Sequence, residues 1–286
     1  MIRKIKILLI SALFVLSIIG IGCLEDTEVD PYQTTIGYLP WTGEIASTNV
    51  LKLALEDAGY EVEIISIEPG ALYRGLADGQ FDFTVSAWLP HTHGHYIDQY
   101  GDDFEEVSVN LEGCKIGLVV PEYVTIDSVE ELNDHKDEFD GRIVGIEPGA
   151  GLMSATEDAI DTYELDYELV ASSGAAMTAE LRTAIQNEEW VVVTGWSPHW
   201  KFQRWDLKYL DDPEGSFGAA EYVGTLAREG LQEDRPELYE IISRFEWEQE
   251  DVESVMMDME EGMDPEDAAA KWIEDNPEKV ASWFEE

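Results

Sequence analysis

From residue 35 onward, short β-branched runs alternate with stretches of helical spacing. Residues 35–39 have strand character. Residues 45–58 then place Val50, Leu51, Leu53, Ala54, Leu55 and Ala58 at helical intervals, and Gly59 follows as a stop signal. A strand over 62–67, a short helix over 71–77 and a strand over 81–87 complete a first set. A second set follows the same order: strand 142–146, helix from Leu152 to about Tyr163, strand 167–171, helix 175–186 and strand 191–195. Between the sets lie an apolar strand over 115–120 and the capping-box pattern Ser128-Val129-Glu130-Glu131. Further on come a strand around 208–210 and a helical end, in which Asp264-Pro265 and Asn276-Pro277 read as helix starts. Strands alternating with helices predict an α/β fold with mostly parallel sheets flanked by helices.

The two sets are copies. Trp88, Pro90 and His91 find identical residues 108 positions later at Trp196, Pro198 and His199. The same offset carries Gly37, Pro40 and Gly43 onto Gly145, Pro148 and Gly151, and Thr48 onto Thr156. The repeat predicts two related lobes. Lobe one is expected over 35–119 and 222–286 and lobe two over 120–221, joined by two crossings that can act as a hinge.

The first residues stand apart from this pattern. Arg3, Lys4 and Lys6 precede an apolar run over 7–21, and Gly22-Cys23 follows, so residues 1–22 read as an export signal. Cys23 is then the expected lipidated first residue, and 23–34 a tether. This places the protein on the extracytoplasmic face of the cell membrane. The remaining cysteine, Cys114, has no partner within the chain after Cys23 is lipidated and is expected as a buried small hydrophobe.

Charge narrows the classes further. The chain carries 17 basic and 62 acidic side chains, and losing the three basic residues of 1–22 takes the formal charge from −45 to −48. Nucleic acid is excluded as a partner, because the field repels it and no basic stripe exists. The carboxylates are scattered along the whole length, which predicts a solvated surface in a salt-adapted, monomeric protein. No nucleophile elbow, phosphate loop or Cys–His pairing suggests catalysis, and no cofactor is expected.

Nine tryptophans remain to be placed. Trp190, Trp205, Trp247, Trp272 and Trp283 fall inside regular patterns and read as core, whereas Trp41, Trp88 and Trp196 each follow a strand, beside Pro or Gly; Trp200 shares the turn after Trp196 one step removed and fits either reading. Indole faces attract a quaternary ammonium, which has no proton to donate. The Gly149-Ala150-Gly151-Leu152 turn opens a helix and suits an anion. A histidine, with His93 the favoured one, can donate to a carboxylate, while His91 and His199 read as structural. The competing reading is a zinc receptor that uses the alternating His91, His93 and His95.

Five segments carry a resemblance: GYLPWTGEIASTN from Gly37, SAWLPHTH from Ser86, GIEPGAGLMSAT from Gly145, VTGWSPHW from Val193 and LKYLDDP from Leu207. On these the chain resembles the glycine betaine-binding proteins of ABC transporters, the substrate receptors of osmoprotectant import. The resemblance implies a two-lobe periplasmic-binding-protein fold of type II-like architecture and a membrane permease as partner. It implies a cation cage of Trp41, Trp88 and Trp196, with the ligand carboxylate on the backbone N–H groups of Gly151 and Leu152 and on His93. The extreme acidity is not part of the resemblance.

Overall fold

The computed structural model describes residues 30–285, so the expected export signal and Cys23 lie outside the described residues. From residue 31 onward the chain clusters as one compact unit. The first set of elements is β1 (Gln33–Tyr38), α1 (Thr42–Asp57), β2 (Glu61–Ser66), α2 (Pro69–Ala77) and β3 (Phe83–Leu89). Then come α3 (Gly94–Tyr100), the long β4 (Phe104–Pro121) and a 3-10 turn over Val129–His135. The second set is β5 (Arg142–Val144), α4 (Gly151–Thr162), β6 (Glu168–Val170), α5 (Gly174–Asn187) and β7 (Val193–Ser197). The chain finishes with α6 (Lys201–Arg204), β8 (Leu207–Tyr209), β9 (Glu221–Arg228), α7 (Leu231–Asp234), α8 (Pro236–Arg244), α9 (Gln249–Glu260), α10 (Pro265–Asp275) and α11 (Pro277–Phe284).

The strands lie in the order β2-β1-β3-β9-β4-β7-β5-β6, with β8 also on β4. The repeat is visible in this order, because β2-β1-β3 at one end is mirrored by β6-β5-β7 at the other. Both outer groups pair in parallel, as βαβ units require. The strands between them, β9 and β4, pair antiparallel with each other and with β3 and β7. Each half is therefore a parallel α/β unit finished by a returning antiparallel strand. β4 belongs to both halves: it pairs with β9 as far as Cys114 and with β7 from Lys115 onward. The change of partner falls between those two residues, within one continuous strand.

Local signals set the element ends. Trp41 is extended at the N-cap of α1, and Gly59, at φ +97°, supplies the left-handed turn that ends it. The capping box closes as expected, with Glu130 N–H donating to Ser128 Oγ and Ser128 N–H donating to Glu131 Oε1. All seven residues of β3 are buried, as expected of a strand covered on both faces. The first half of β4 was not legible as a strand. Register shifts at three places break its alternation, and Glu105, Glu106 and Glu112 interrupt the apolar run.

At the C-terminal end, α9 and α10 lie on α1. Trp247, Trp272, Trp283 and Phe245 form an aromatic cluster here, with Trp272 and Trp283 stacked at 6.1 Å. Trp247, Trp272 and Trp283 are buried as expected of core residues, while Trp190 and Trp205 are half-buried. Cys114 is fully buried, and burial pushes its thiol up to about 12, where it is an inert hydrophobe.

Candidate ligand-binding site

The cavity forms where the two sheet halves meet. It leaves about 20 Å³ open to the centre of a water molecule and is lined by Trp41, Trp88 and Thr92 from the first half and by Ile146, Ala150, Leu152 and Trp196 from the second. Ile116, just past the partner change in β4, closes it. That is little more than the roughly 10–15 Å³ that one water molecule needs, so the three indoles and the aliphatic residues stand close together around the space.

Each indole is held by its element. Trp88 is the sixth residue of β3 and Trp196 the fourth of β7, each two residues before a proline whose preceding peptide is cis. Trp41 lies between β1 and α1 and approaches Trp196 at 6.4 Å between ring centres, at an angle of 48°. The three rings are nearly buried, at 7%, 4% and 6% exposure for Trp41, Trp88 and Trp196. Trp88 Nε1–H donates to Glu44 Oε1 at 2.6 Å, which fixes the ring's rotation. Trp41 Nε1 is buried with no hydrogen-bond partner among the described residues.

His93 is fully buried and stacks on Trp41 at 5.8 Å, behind the cavity wall. Its Nδ1 accepts the Trp88 backbone N–H at 3.0 Å, so the neutral ring must carry its proton on Nε2. Burial lowers the imidazole to about 3, which keeps it neutral at ordinary pH, and Nε2 has no partner among the described residues. The ring therefore carries a buried donor. Gly151 is the first residue of α4, between the cavity-lining Ala150 and Leu152. The first amides of a helix have no intrahelical acceptor, so this end favours an anion. A Cβ on Gly151 would stand 1.9 Å from the Thr92 carbonyl oxygen, so the two halves touch there at backbone distance. Thr92 is itself held by Glu221, which accepts from its N–H at 2.7 Å and its hydroxyl at 2.6 Å.

Of the six expected site residues, Trp41, Trp88, Trp196 and Leu152 line the cavity. His93 and Gly151 stand directly behind or beside lining residues. The sequence reading missed Thr92, Glu44 and the aliphatic floor. Glu44 had one signal, since the 108-residue offset sets this carboxylate opposite the aliphatic Leu152.

The zinc alternative is not supported. Alternating histidines share a side only while the chain is extended, and α3 begins at Gly94, within the run. As a result His93 is buried while His91 and His95 are exposed, the latter against Tyr96. Among the described residues no group of three or more His, Cys, Asp or Glu side chains could hold a metal ion. His199 packs structurally, its Nδ1 accepting the Lys201 N–H and its ring edge-on to Trp196.

Matching α/β halves, two crossings between them and a small aromatic cavity at their junction define a two-lobed receptor for a small solute. Residues 33–275 match the family described as the substrate binding domain of ABC-type glycine betaine transport systems, and the chain belongs to that family. It is 45% identical over 162 residues to the glycine betaine/carnitine transport binding protein GbuC of Listeria monocytogenes. That match covers 56% of this chain and 54% of the relative, so the chain spans about half the length of that curated protein. Lactococcal OpuAC, in its closed-liganded conformation complexed with glycine betaine, is 41% identical with a TM-score of 0.86, covering 88% of this chain and 99% of that one. The glycine betaine/L-proline-binding protein ProX from Borrelia burgdorferi is 39% identical, also at 0.86, covering 89% and 97%.

Proposed function

We propose that this protein captures glycine betaine between its two halves and delivers it to the permease of an ABC transporter. The observation that carries the reading is the cavity wall, made of three indoles and aliphatic side chains, with the Thr92 hydroxyl already engaged by Glu221. Such a wall has little to offer a hydrogen-bonding cation and much to offer a methylated one. Trp41, Trp88 and Trp196 hold the trimethylammonium group. The carboxylate takes the amides of Gly151 and Leu152 and the Nε2–H of His93. The halves close by rotation about the two crossings, with 35–119 and 222–286 moving as one lobe and 120–221 as the other. Binding shifts the population toward the closed form, because only that form presents all three rings. The receptor works outside the cell membrane, tethered through a lipidated Cys23.

Titration with glycine betaine, choline and zinc, followed by tryptophan fluorescence, tests the proposal. Glycine betaine saturates the signal, choline binds more weakly for want of a carboxylate, and zinc leaves the signal unchanged. Saturation by zinc without a response to betaine overturns the reading.

A further inference from the structure

Glu44 is a carboxylate in an unusual place. It lies in the first turn of α1, is 3% exposed, and holds Trp88 Nε1–H with one oxygen while the other has no partner among the described residues. A neutral acceptor would orient the indole as well. A buried carboxylate is costly unless a positive charge answers it. The titratable and charged groups set against it supply none. Tyr73, on α2, and Cys114, on β4, are neutral, because burial raises both, and both feel the charge of Glu44. Both also feel Glu221, a second carboxylate, at the start of β9. The buried His93 ring, hydrogen-bonded to the Trp88 backbone, is neutral too.

We propose that Glu44 is a specificity-determining residue of the cage, supplying as a carboxylate on the Trp88 N–H the negative charge that answers a desolvated quaternary ammonium. This rests on the cage reading given above. An anionic acceptor on the indole N–H shifts electron density toward the ring and strengthens its attraction for a cation on its face. The charge also acts directly across a cavity whose apolar lining keeps the dielectric low. A ligand of the same shape with a neutral head gains from neither effect. Glu44 is thus a selector of charge, whereas the indoles alone select for shape and apolar surface.

The same geometry makes capture pH-dependent. Burial raises Glu44 to about 7, against the lowering effect of the Trp88 bond. The bound cation favours the ionised form, so affinity rises with pH through the titration of Glu44 and levels off above it. In the empty protein the sign reverses. The folded state holds this proton more tightly than the unfolded chain, so the stability Glu44 contributes is full below 4.5 and is lost as pH rises to about 7.

The test compares the wild-type protein with Glu44→Gln, which keeps an acceptor oxygen for Trp88. Each is titrated by calorimetry between about pH 5.5 and 8.5 with glycine betaine, and with 3,3-dimethylbutanoate, which has carbon in place of the nitrogen. The expected result is a betaine affinity that rises with pH in the wild type, and is flat and about tenfold weaker at the alkaline end in Glu44→Gln. The affinity for dimethylbutanoate, itself an anion that ionised Glu44 can only repel, is not weakened in Glu44→Gln. Equal betaine affinity and pH dependence in the two proteins overturn the inference. So does an equal loss for both ligands, which marks a merely structural role. If the variant fails to fold, wild-type titrations in two buffers of different ionisation heat decide: proton release on betaine binding below the titration of Glu44 supports the inference, and its absence overturns it. A wild type that binds no betaine removes the cage reading itself, which is distinct from a wild type that binds and a variant that matches it.

Discussion

An indole can offer a quaternary ammonium only its face, so the value of each ring depends on how rigidly that face is presented. Trp88 is fixed along its edge by Glu44 and by its position in a fully buried strand. Trp196 is fixed by the matching strand β7 and by His199, which packs against it at 4.7 Å. On this basis Trp88→Ala and Trp196→Ala should each lose about 2 kcal/mol or more of betaine binding, about 30-fold in Kd. Trp88→Ala should be the worse of the two, because it also strands the Glu44 carboxylate. Calorimetric titration checks both variants, and a loss below about threefold would exclude cation–π attraction as the main source of affinity. The tryptophans were legible in the sequence because a Trp beside Pro or Gly at a strand end has a turn to explain it. Glu44 and Thr92 were not: one looks like an ordinary acidic residue in a first helical turn, the other like a loop threonine. Burial distinguishes them, and burial depends on what the other half of the chain brings against them.

Between elements, the decisive approach is that of the α4 N-terminus to the loop after β3. Gly151 meets the Thr92 carbonyl so closely that no side chain fits, and Glu221 at the start of β9 pins that loop from behind. The glycine is therefore required by the approach of the halves, since it is not among the glycines with a left-handed backbone. Gly151→Ala should keep its thermal stability to within a few degrees while betaine affinity falls at least tenfold, because the added methyl obstructs closure and not the folding of either half. Thermal melts with and without betaine check this, and an undiminished ligand-induced rise in Tm would contradict it. Element order was readable because strand and helix periods alternate cleanly in both copies. The parts that escaped were the first half of β4, β9 and α3. Bulges break the alternation of β4, and β9 read only as a crossing. The seven-residue α3 begins inside a histidine run that reads as loop.

For the whole molecule, the formal charge of −45 is spread over a surface with far fewer cations than anions. Ion pairs such as Arg182–Glu260 at 2.5 Å, between α5 and α9, use only a small share of the carboxylates. Mutual repulsion therefore opposes the compact state at low ionic strength and is relieved as the screening length falls to about 3 Å near 1 M salt. Tm should rise steadily as potassium chloride is added toward that concentration. A flat or falling curve in differential scanning calorimetry would show that the acidic surface carries no salt dependence. The repeat, a feature of the whole chain, was visible in the sequence as a constant offset and returns in the structure as mirrored strand order. The point where β4 changes partner was not visible, because the bulged, acidic stretch before Cys114 did not read as strand, leaving 115–120 as an isolated apolar run.

Selection of a positive head group by a wall of indoles is the central claim, and the wild-type protein alone can test it. Its affinities for glycine betaine and for 3,3-dimethylbutanoate, measured by calorimetry in the same buffer, compare two carboxylates of the same shape, one with a cationic head and one with a neutral head. A cation cage predicts that betaine binds at least about 100-fold more tightly, since three faces each contribute attraction that the neutral head lacks. Equal affinity would show that the cavity reads only shape and apolar surface, and would contradict the account.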